Sequence, residues 1–260
     1  GAAAAGCRAV RVPVDRDWLP DLDGIAPDDA ARALVLWINT PANPTGAAMD
    51  RAGLDAAIAW ARERHIVIAS DECYLDLVDG APSVLGGDGS HDGVLAVHSL
   101  SKRSNFAGMR AGCYAGDARL VAELAALRRT LGLIVPTPIQ AGAIAALDDH
   151  EHVLEQRARY EGRRRAVLAA VEPAGIVHDG GAMPFYLWLR DTSGLGAGSG
   201  AGADPDDGWA LAERFARAGW LVTPGATFGP AGAAHVRLAL VQPDDVLARA
   251  AERFEEREGR

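Results

Sequence analysis

Cysteine is scarce in this sequence. The 260 residues contain three cysteines, Cys7, Cys73 and Cys113. An odd number of widely spaced cysteines argues against a disulfide framework or a zinc site, and it favours reduced thiols in a cytoplasmic protein. Basic residues are also outnumbered: 26 Lys and Arg stand against 35 Asp and Glu, for a formal net charge of -9. We therefore expect no nucleic-acid partner.

Long hydrophobic runs are missing as well. No apolar stretch reaches the roughly 18 residues of a membrane span, and no basic region precedes residues 1–6 as it would in a signal peptide. We therefore expect no membrane partner. The sequence is nevertheless 49% hydrophobic, and a chain of this length can form one or two domains with a sizeable core. Residues 1–6 are small and resemble the middle of a helix, so we expect the beginning of the protein to lie upstream.

Strands and helices alternate in the first half of the sequence. Residues 34–39, 66–69 and 94–97 are apolar runs that predict buried strands. Asp50 can cap a helix that extends to about Arg64. This alternation predicts an α/β fold, with a mostly parallel sheet and helices on both of its faces.

The rest of the sequence has a mixed pattern. Helices are expected over residues 117–131, 138–149, 151–171, 209–218 and 244–256, and strands near residues 113–115, 174–178, 184–189, 220–223 and 235–241. We place a domain boundary near the start of the long helix expected over residues 151–171. This gives a large domain over residues 1–150 and a smaller α+β C-terminal domain over residues 151–260. Residues 191–208 are a Gly- and Ser-rich insertion, which we expect to be mobile because it has nothing to bury.

Polar residues that could carry chemistry follow three of the predicted strands. They are Asn43, Asp71, Tyr74, Ser99, Lys102 and Arg110. The carboxyl ends of parallel strands meet at one edge of a sheet, so these groups can converge there. A lysine in such a place can be desolvated and become a Schiff-base nucleophile. For Lys102 taken alone, a solvated loop lysine is the plainer alternative.

Two other chemistries are disfavoured by the pattern. Asp71 and Glu72 could be a pair of metal ligands, but no histidine lies at a useful spacing, and we expect no metal. His98 and Ser99 could belong to a hydrolase, but the serine lacks the Gly-x-Ser-x-Gly turn that such enzymes use.

Five motifs occur in the order, and at plausible separations, of a known enzyme family. They are Asn43-Pro44-Thr45-Gly46, Asp71-x-x-Tyr74, Ser99-x-Ser101-Lys102 with Arg110, Pro224-Gly225-x-x-Phe228-Gly229, and Arg237 in a strand. Together they resemble the fold-type I, pyridoxal-phosphate-dependent aminotransferases of class I/II over nearly the whole chain. The resemblance implies the large cofactor-binding domain of that fold, pyridoxal 5′-phosphate as cofactor, amino and keto acids as substrates, and a homodimer when full length. It also implies a cis Asn43–Pro44 peptide bond.

The resemblance assigns catalytic roles to three of these residues. Lys102 would hold the cofactor covalently and then move the α-proton of the substrate. Asp71 would pair with the pyridine nitrogen and keep it protonated, which makes the ring an electron sink. Tyr74, together with Asn43, would hydrogen-bond the phenolic oxygen of the ring. Tyr74 could instead be a core residue with a satisfied hydroxyl.

The other implied roles concern negative charge on the cofactor and the substrate. Ser99 and Arg110, joined by Ser101, would bind the cofactor phosphate, Arg110 through charge-assisted hydrogen bonds. Arg237 and Asn43 would bind the substrate, with the planar guanidinium of Arg237 on the α-carboxylate. An arginine in a strand could also be an ordinary surface residue.

A narrower resemblance concerns the substrate. Residues 185–188 and 224–240 resemble the actinobacterial N-succinyldiaminopimelate aminotransferases of lysine biosynthesis. This implies glutamate and 2-oxoglutarate as the usual donor pair and N-succinyl-2-amino-6-oxopimelate as the keto acid. The distant carboxylates would need a second cation, for which Arg103 and Arg128 are candidates. A lyase, an acyl-condensing enzyme, or the aminotransferase-like sensor domain of a transcription regulator remains open, because cofactor motifs do not fix the reaction.

The family also has features upstream of a region like residues 1–7. These are a loop that binds the cofactor phosphate, an aromatic residue that stacks on the ring, and an N-terminal arm. Ser99 and Arg110 would supply only part of the donors that a buried phosphate needs. We therefore expect these 260 residues alone not to turn over.

Overall fold

A four-stranded sheet lies at the centre of the first of two units in the computed structural model, which describes residues 1–193 and 208–258. The first unit comprises residues 1–41 and 48–148, and the second comprises residues 42–47 and 149–260. The expectation of a mobile insertion over residues 191–208 falls mostly on residues 194–207, which lie outside the described residues.

In the first unit the strands follow the order β1–β2–β3–β4. They are β1 (Val35–Asn39), β2 (Val67–Asp71), β3 (Val94–Ser99) and β4 (Gly112–Gly116); the helices are α1 (Pro27–Ala30), α2 (Arg51–Glu63), α3 (Leu100–Arg103), α4 (Ala118–Thr130) and α5 (Thr137–Asp148). The first three strands are parallel, and β4 runs antiparallel to β3. The predicted mostly parallel α/β sheet is confirmed.

The predicted apolar face of α2 forms the core of this unit with the sheet. Its buried residues are Leu54, Ala57, Ile58 and Ala61, and they cluster with Leu36, Ile38, Ile68 and Val94 from three strands. Asp50 caps the helix as predicted, because its Oδ1 accepts a hydrogen bond from the Gly53 N–H at 2.8 Å.

The prediction of a buried strand over residues 34–39 is wrong for one face of that strand. Val35 is 50% exposed and Trp37 is 56% exposed, whereas Leu36 and Ile38 are buried. Successive side chains of a strand point to opposite faces. In the described residues β1 pairs only with β2, at the edge of the sheet, and only one of its faces is covered. A run of apolar residues therefore does not establish that both faces are buried.

The second unit contains an antiparallel sheet with the order β5–β6–β8–β7. The strands are β5 (Ile176–His178), β6 (Tyr186–Asp191), β7 (Thr223–Pro224) and β8 (His235–Ala239); the helices are α6 (Glu151–Val171), α7 (Gly208–Arg217) and α8 (Asp244–Glu258). The strand expected over residues 220–223 is only partly correct. Leu221 is 98% exposed, and pairing is confined to the two residues of β7.

Residues 42–47 belong to the second unit, although the predicted boundary places them in the first domain. The Gly181 N–H donates to Thr45 O at 2.9 Å, and the Met183 N–H donates to Gly46 O at 3.2 Å. A Cβ atom on Gly181 would lie 2.2 Å from Gly46 O, so only glycine permits this approach. Backbone pairing between distant segments decides this assignment, and composition does not show it.

Two global expectations concern membranes and thiols. No helix within residues 1–193 and 208–258 is long and apolar enough to cross a membrane. Cys7, Cys73 and Cys113 are all free thiols.

Candidate active site

The carboxyl ends of β2 and β3 bring Asp71 and Lys102 to one edge of the first sheet. Asp71 is the last residue of β2 and is in register with Val97 of the parallel strand β3. Ser99 ends β3, and its Oγ caps the short helix α3 by accepting from the Ser101 N–H at 3.2 Å. Lys102 lies within this helix, three residues beyond the strand end. Three of the predicted residues are therefore placed by two neighbouring strands.

A tight turn follows Asp71 and places a thiol beside it. Asp71 Oδ1 accepts from the Cys73 N–H at 3.1 Å, and Tyr74 is 4% exposed. Burial raises the pKa of the Cys73 thiol to about 12; the Asp71 carboxylate adds to the rise, and the positive charge of Lys102 partly offsets it. The thiol therefore stays protonated at neutral pH. Because the charges of Asp71 and Lys102 both affect the Cys73 thiol, both residues lie near Cys73.

The predicted phosphate-binding residues line a cavity of about 700 Å³ in the first unit. Ser99, Ser101 and Arg110 all contribute to its wall, together with Arg128 and other residues of α4 and α5. Arg110 has a φ of 56° and donates from Nη1 to Ala107 O at 3.0 Å. The cavity therefore contains hydroxyl and guanidinium donors, which suit an anion.

The predicted convergence of all site residues is seen only in part. Asp71, Tyr74 and Lys102 lie at the same sheet edge but are not among the described residues that line the cavity. Asn43 and Arg237 belong to the second unit. A single cleft that joins all of them stays a prediction.

Arg237 lies in β8 and makes a compact cluster with residues of its own unit. Its Nη1 donates to Asn43 Oδ1 at 2.8 Å, and its Nη2 lies 3.4 Å from Thr223 Oγ1. The guanidinium lies 4.4 Å from the ring centroid of Tyr186 and 4.9 Å from that of Phe228. Its Nε is buried and has no hydrogen-bond partner in the described part of the chain. A buried, unused guanidinium donor points to an acceptor such as a carboxylate.

This geometry decides several predictions about the second unit. Arg237 is not an ordinary surface arginine, because Asn43 and two aromatic rings hold its guanidinium. Phe228, a residue of the Pro224-Gly225-x-x-Phe228-Gly229 motif, supplies one of those rings. The Asn43–Pro44 bond is cis as predicted, and the Thr40–Pro41 bond is cis as well.

Glu72, considered with Asp71 as a metal-ligand pair, is instead buried and hydrogen-bonded to neighbouring protein groups. Its side chain is fully buried and accepts from Ser83 Oγ at 2.7 Å and from the Val84 N–H at 2.6 Å. His98 Nε2 lies 3.5 Å from the same carboxylate. Within the ranges that the structure describes, no group of three or more His, Cys, Asp or Glu side chains could hold a metal ion.

Arg103, a candidate for binding a distal substrate carboxylate, is buried and engaged. It is 8% exposed, and its Nη1 donates to Ala146 O at 2.6 Å. Its Nε lies 3.4 Å from Asp76 Oδ2. These contacts occupy the guanidinium, so Arg103 is not available to a substrate. Arg128 remains a candidate, because it lines the cavity.

Sequence reasoning missed one simple signal. Lys102 is the only lysine among the 260 residues, and all the other residues counted as Lys or Arg are arginines. Arginine cannot replace a lysine that must lose its proton and form a covalent bond with a carbonyl group. A count of lysines would have identified Lys102 without any motif.

His178 supports the segment of the second unit that approaches residues 42–47. Its Nε2 lies 3.0 Å from Gly181 O, and its Nδ1 lies 3.2 Å from both the N and the O of Trp188. Burial lowers the pKa of His178, although its hydrogen bonds with backbone groups oppose that effect.

This lowered pKa predicts a pH dependence of stability. As the pH falls below the ordinary histidine value of about 6.5, the unfolded chain takes up a proton that folded His178 resists, so the free energy of unfolding should fall. Urea titrations between pH 7.5 and 5.5 should show a smaller loss for His178→Asn than for the wild type. The exposed His65 provides the control, and His65→Asn should keep the wild-type slope. Equal slopes in all three proteins would contradict the prediction.

The donor set of the first unit fits pyridoxal 5′-phosphate. Lys102 offers an amine that can bond to an aldehyde, and Asp71 offers a carboxylate for a protonated ring nitrogen. Ser99, Ser101 and Arg110 offer a cavity wall of phosphate donors. Together these groups match the aldehyde, the ring nitrogen and the phosphate of that cofactor.

Comparison with known proteins identifies the family. Residues 1–254 match the family described as aminotransferase class I and II. The chain therefore belongs to the class I and II aminotransferases, which depend on pyridoxal 5′-phosphate.

Three similar proteins narrow the comparison. A probable aminotransferase of Mycobacterium tuberculosis is 42% identical over 98% of this chain and 56% of its own. The 4-dedimethylamino-4-oxo-anhydrotetracycline transaminase OxyQ of Streptomyces rimosus is 42% identical over 85% of this chain and 59% of its own. A solved structure, the probable N-succinyldiaminopimelate aminotransferase of Thermus thermophilus, has a TM-score of 0.81 and 31% identity, and the match covers 98% of this chain and 67% of that one.

Each of these matches covers only part of the relative's own length. The chain spans somewhat more than half the length of the curated relatives it matches, 56% of one and 59% of the other. The activity, substrates and partners of the whole protein are therefore treated as proposals.

Proposed function

We propose that the protein is a pyridoxal-phosphate-dependent aminotransferase that moves an amino group from an amino donor to a keto acid. The observation that carries this proposal is the placement of the sole lysine, Lys102, at the same sheet edge as Asp71. Family membership supports it. The proposed donor pair is glutamate and 2-oxoglutarate.

Each residue of the first unit has a role in this proposal. Lys102 binds the cofactor aldehyde through its amine and later carries the α-proton of the substrate. Asp71 holds the proton on the ring nitrogen, and the buried Tyr74 donates its hydroxyl proton to the ring oxygen. Ser99, Ser101 and Arg110 hold the phosphate. When bound, the cofactor supplies an electron-withdrawing ring that stabilises the negative charge left by proton removal.

The second unit supplies the proposed carboxylate receptor. Arg237 binds the substrate α-carboxylate with its planar guanidinium, and Asn43 Oδ1 accepts a hydrogen bond from its Nη1. The rings of Tyr186 and Phe228 limit the positions that the guanidinium can take.

The direct test is an assay of amino transfer with product analysis. The purified full-length protein with pyridoxal 5′-phosphate should convert a keto acid into its amino acid, with stoichiometric formation of 2-oxoglutarate from glutamate. A product that loses a carboxylate or gains an acyl group, without amino transfer, would instead identify a lyase or an acyl-condensing enzyme. Cofactor binding with no reaction, together with specific DNA binding by the gene product, would identify a sensor domain of a regulator.

We propose N-succinyl-2-amino-6-oxopimelate, an intermediate of diaminopimelate and lysine biosynthesis, as the keto acid. The name of the similar Thermus thermophilus structure supports this choice. The transaminase from Streptomyces rimosus is named for a different keto substrate, and this chain is more similar to it in sequence, at 42% identity against 31% for the Thermus thermophilus protein. The assay should therefore include an anhydrotetracycline ketone, and a higher kcat/KM for that ketone would overturn the choice. We also propose a cytoplasmic location and a homodimeric state.

Arg237→Lys should raise the KM for every amino and keto substrate. The ammonium group of lysine cannot make the two parallel hydrogen bonds that a planar guanidinium makes with a carboxylate. Loss of one charged hydrogen bond should weaken substrate binding by about tenfold or more. Steady-state kinetics with several substrates of different side chains will measure the change. Arg249→Lys is the matched control, because Arg249 pairs with Asp245 on the surface of α8. A rise in KM confined to one substrate would show that Arg237 recognises a side chain instead.

A further inference from the structure

Arg103 is a buried charge directly after Lys102 in the sequence. Its Nη1 contacts Ala146 O at 2.6 Å and Ser104 Oγ at 3.1 Å, and its Nε is 3.4 Å from Asp76 Oδ2. Arginine is rarely buried unless its charge is paired. The 8% exposure of Arg103 therefore reflects a fixed set of partners.

The partners of Arg103 belong to two different elements of the first unit. Ala146 lies in the last turn of α5, where carbonyl groups lack helical partners and carry the negative end of the helix dipole. Asp76 lies in the 3₁₀ turn Leu75–Leu77, which starts directly after Tyr74. Arg103 thus connects the helix that carries Lys102 to both elements.

The helix that carries Lys102 needs such support. α3 has four residues, Leu100–Arg103, and one helical turn is not stable by itself in water. The Ser99 hydroxyl fixes its first turn, and Ser104 N–H donates to Leu100 O at its end. Arg103 is the side chain of α3 that joins this end to α5 and to the turn after Tyr74.

We propose that Arg103 is a positioning residue for Lys102. It holds α3 between the end of α5 and the turn after Tyr74, and thereby fixes where the lysine amine lies at the sheet edge that also carries Asp71. The functional meaning of that position rests on the proposed aminotransferase activity. The positioning itself can be tested without turnover.

The test uses the fact that the chain has one lysine. Reductive methylation with ¹³C-formaldehyde gives a single lysine side-chain signal, from Lys102, beside that of the terminal amine. Its NMR chemical shift at a fixed pH reports the surroundings of the amine. Hydrogen exchange of the amides of residues 100–105, followed by mass spectrometry, reports how firmly α3 is held. Neither measurement requires cofactor.

Arg103→Met keeps the aliphatic stem and removes both anchors. We expect exchange at residues 100–105 to become about tenfold faster or more, as loss of a hydrogen bond to a charged group implies, and the Lys102 signal to move to a different chemical shift. In the protein loaded with cofactor, kcat should fall by about 10–100-fold while KM stays unchanged. Arg103→Lys should restore part of each effect, because it keeps the charge but reaches one partner at a time.

Arg62→Met is the matched control. Arg62 also joins a carboxylate and a carbonyl of the first unit, Asp88 Oδ2 at 2.9 Å and Ser90 O at 2.7 Å, but it is not next to Lys102. This variant should leave exchange at residues 100–105 and the chemical shift of the Lys102 signal unchanged. If Arg103→Met matches it in both measurements, Arg103 is not a positioning residue.

Two further outcomes keep the test decisive. If Arg103→Met does not fold, Asp76→Asn weakens one anchor alone and should shift both measurements in the same direction; no shift would overturn the proposal. Failure of the full-length wild type to form a borohydride-reducible adduct with pyridoxal 5′-phosphate would contradict the proposed function, whereas the exchange and chemical-shift results would still decide the role of Arg103.

Discussion

Lys102→Ala should reduce turnover by at least about 10⁴-fold, the upper range for loss of a positioned acid–base group. The amine both bonds to the cofactor and carries the substrate proton in the proposed mechanism, so no step avoids it. Lys102→Arg should be as inactive, because a guanidinium stays protonated and does not bond to the aldehyde. Stopped-flow and steady-state assays on the purified full-length variants will measure the loss. Noncovalent binding of the cofactor should survive in both.

The single lysine makes this prediction unusually direct. After addition of pyridoxal 5′-phosphate and reduction with borohydride, the wild type should carry the label on Lys102, and Lys102→Ala should carry none on a side chain of residues 1–260. Arg119→Ala changes a cation that is 83% exposed in the same unit and should behave as the wild type. Turnover near the wild-type rate in Lys102→Ala would rule out the assigned role.

Asp71→Asn should lower kcat by about 10²–10³-fold, the usual cost of removing one preorganised electrostatic partner. The neutral amide cannot hold a proton on the ring nitrogen as a carboxylate does, so the ring withdraws electrons less strongly. The amide oxygen can still accept from the Cys73 N–H, which now donates to Asp71 Oδ1 at 3.1 Å. The local turn should therefore persist, and the effect should come from the charge.

Two comparisons separate charge from structure at this position. Asp71→Ala loses both the charge and the turn acceptor, so it should be less stable than Asp71→Asn and at least as slow. Asp88→Asn alters a carboxylate that is 62% exposed in the same unit and should leave kcat unchanged. A kcat for Asp71→Asn within a small factor of the wild type would show that no carboxylate is needed beside the ring.

Much of the fold could be predicted from local patterns. The strands that precede Asp71 and Ser99, the cap at Asp50 and the buried face of α2 all depend on neighbouring residues or on helical periodicity. The outward faces of Val35 and Trp37 could not be predicted, because they depend on β1 pairing with one neighbour only in the described residues. An apolar run has the same sequence whether one or both of its faces are covered.

The candidate site was likewise predicted only in part from the sequence. The sequence supplied the candidate residues and the resemblance supplied their roles, which stay predictions. The place of Arg103 could not be read from its spacing: a free cation for a substrate and a buried anchor beside Lys102 look identical in the sequence. The partners Ala146 and Asp76, 43 and 27 positions away in the sequence, decide between them.

The sequence by itself determined that the chain has one lysine, three predicted strand ends followed by polar residues, and five motifs in the order of one family. These features depend on residue chemistry and short-range backbone preference. Only the tertiary structure decided that Cys73 lies near the charges of both Asp71 and Lys102, that residues 42–47 pair with the second unit, and that aromatic rings flank Arg237. Burial and contact between segments far apart in the chain arise only when the backbone folds, because hydrogen bonding and packing act through space and not along the sequence.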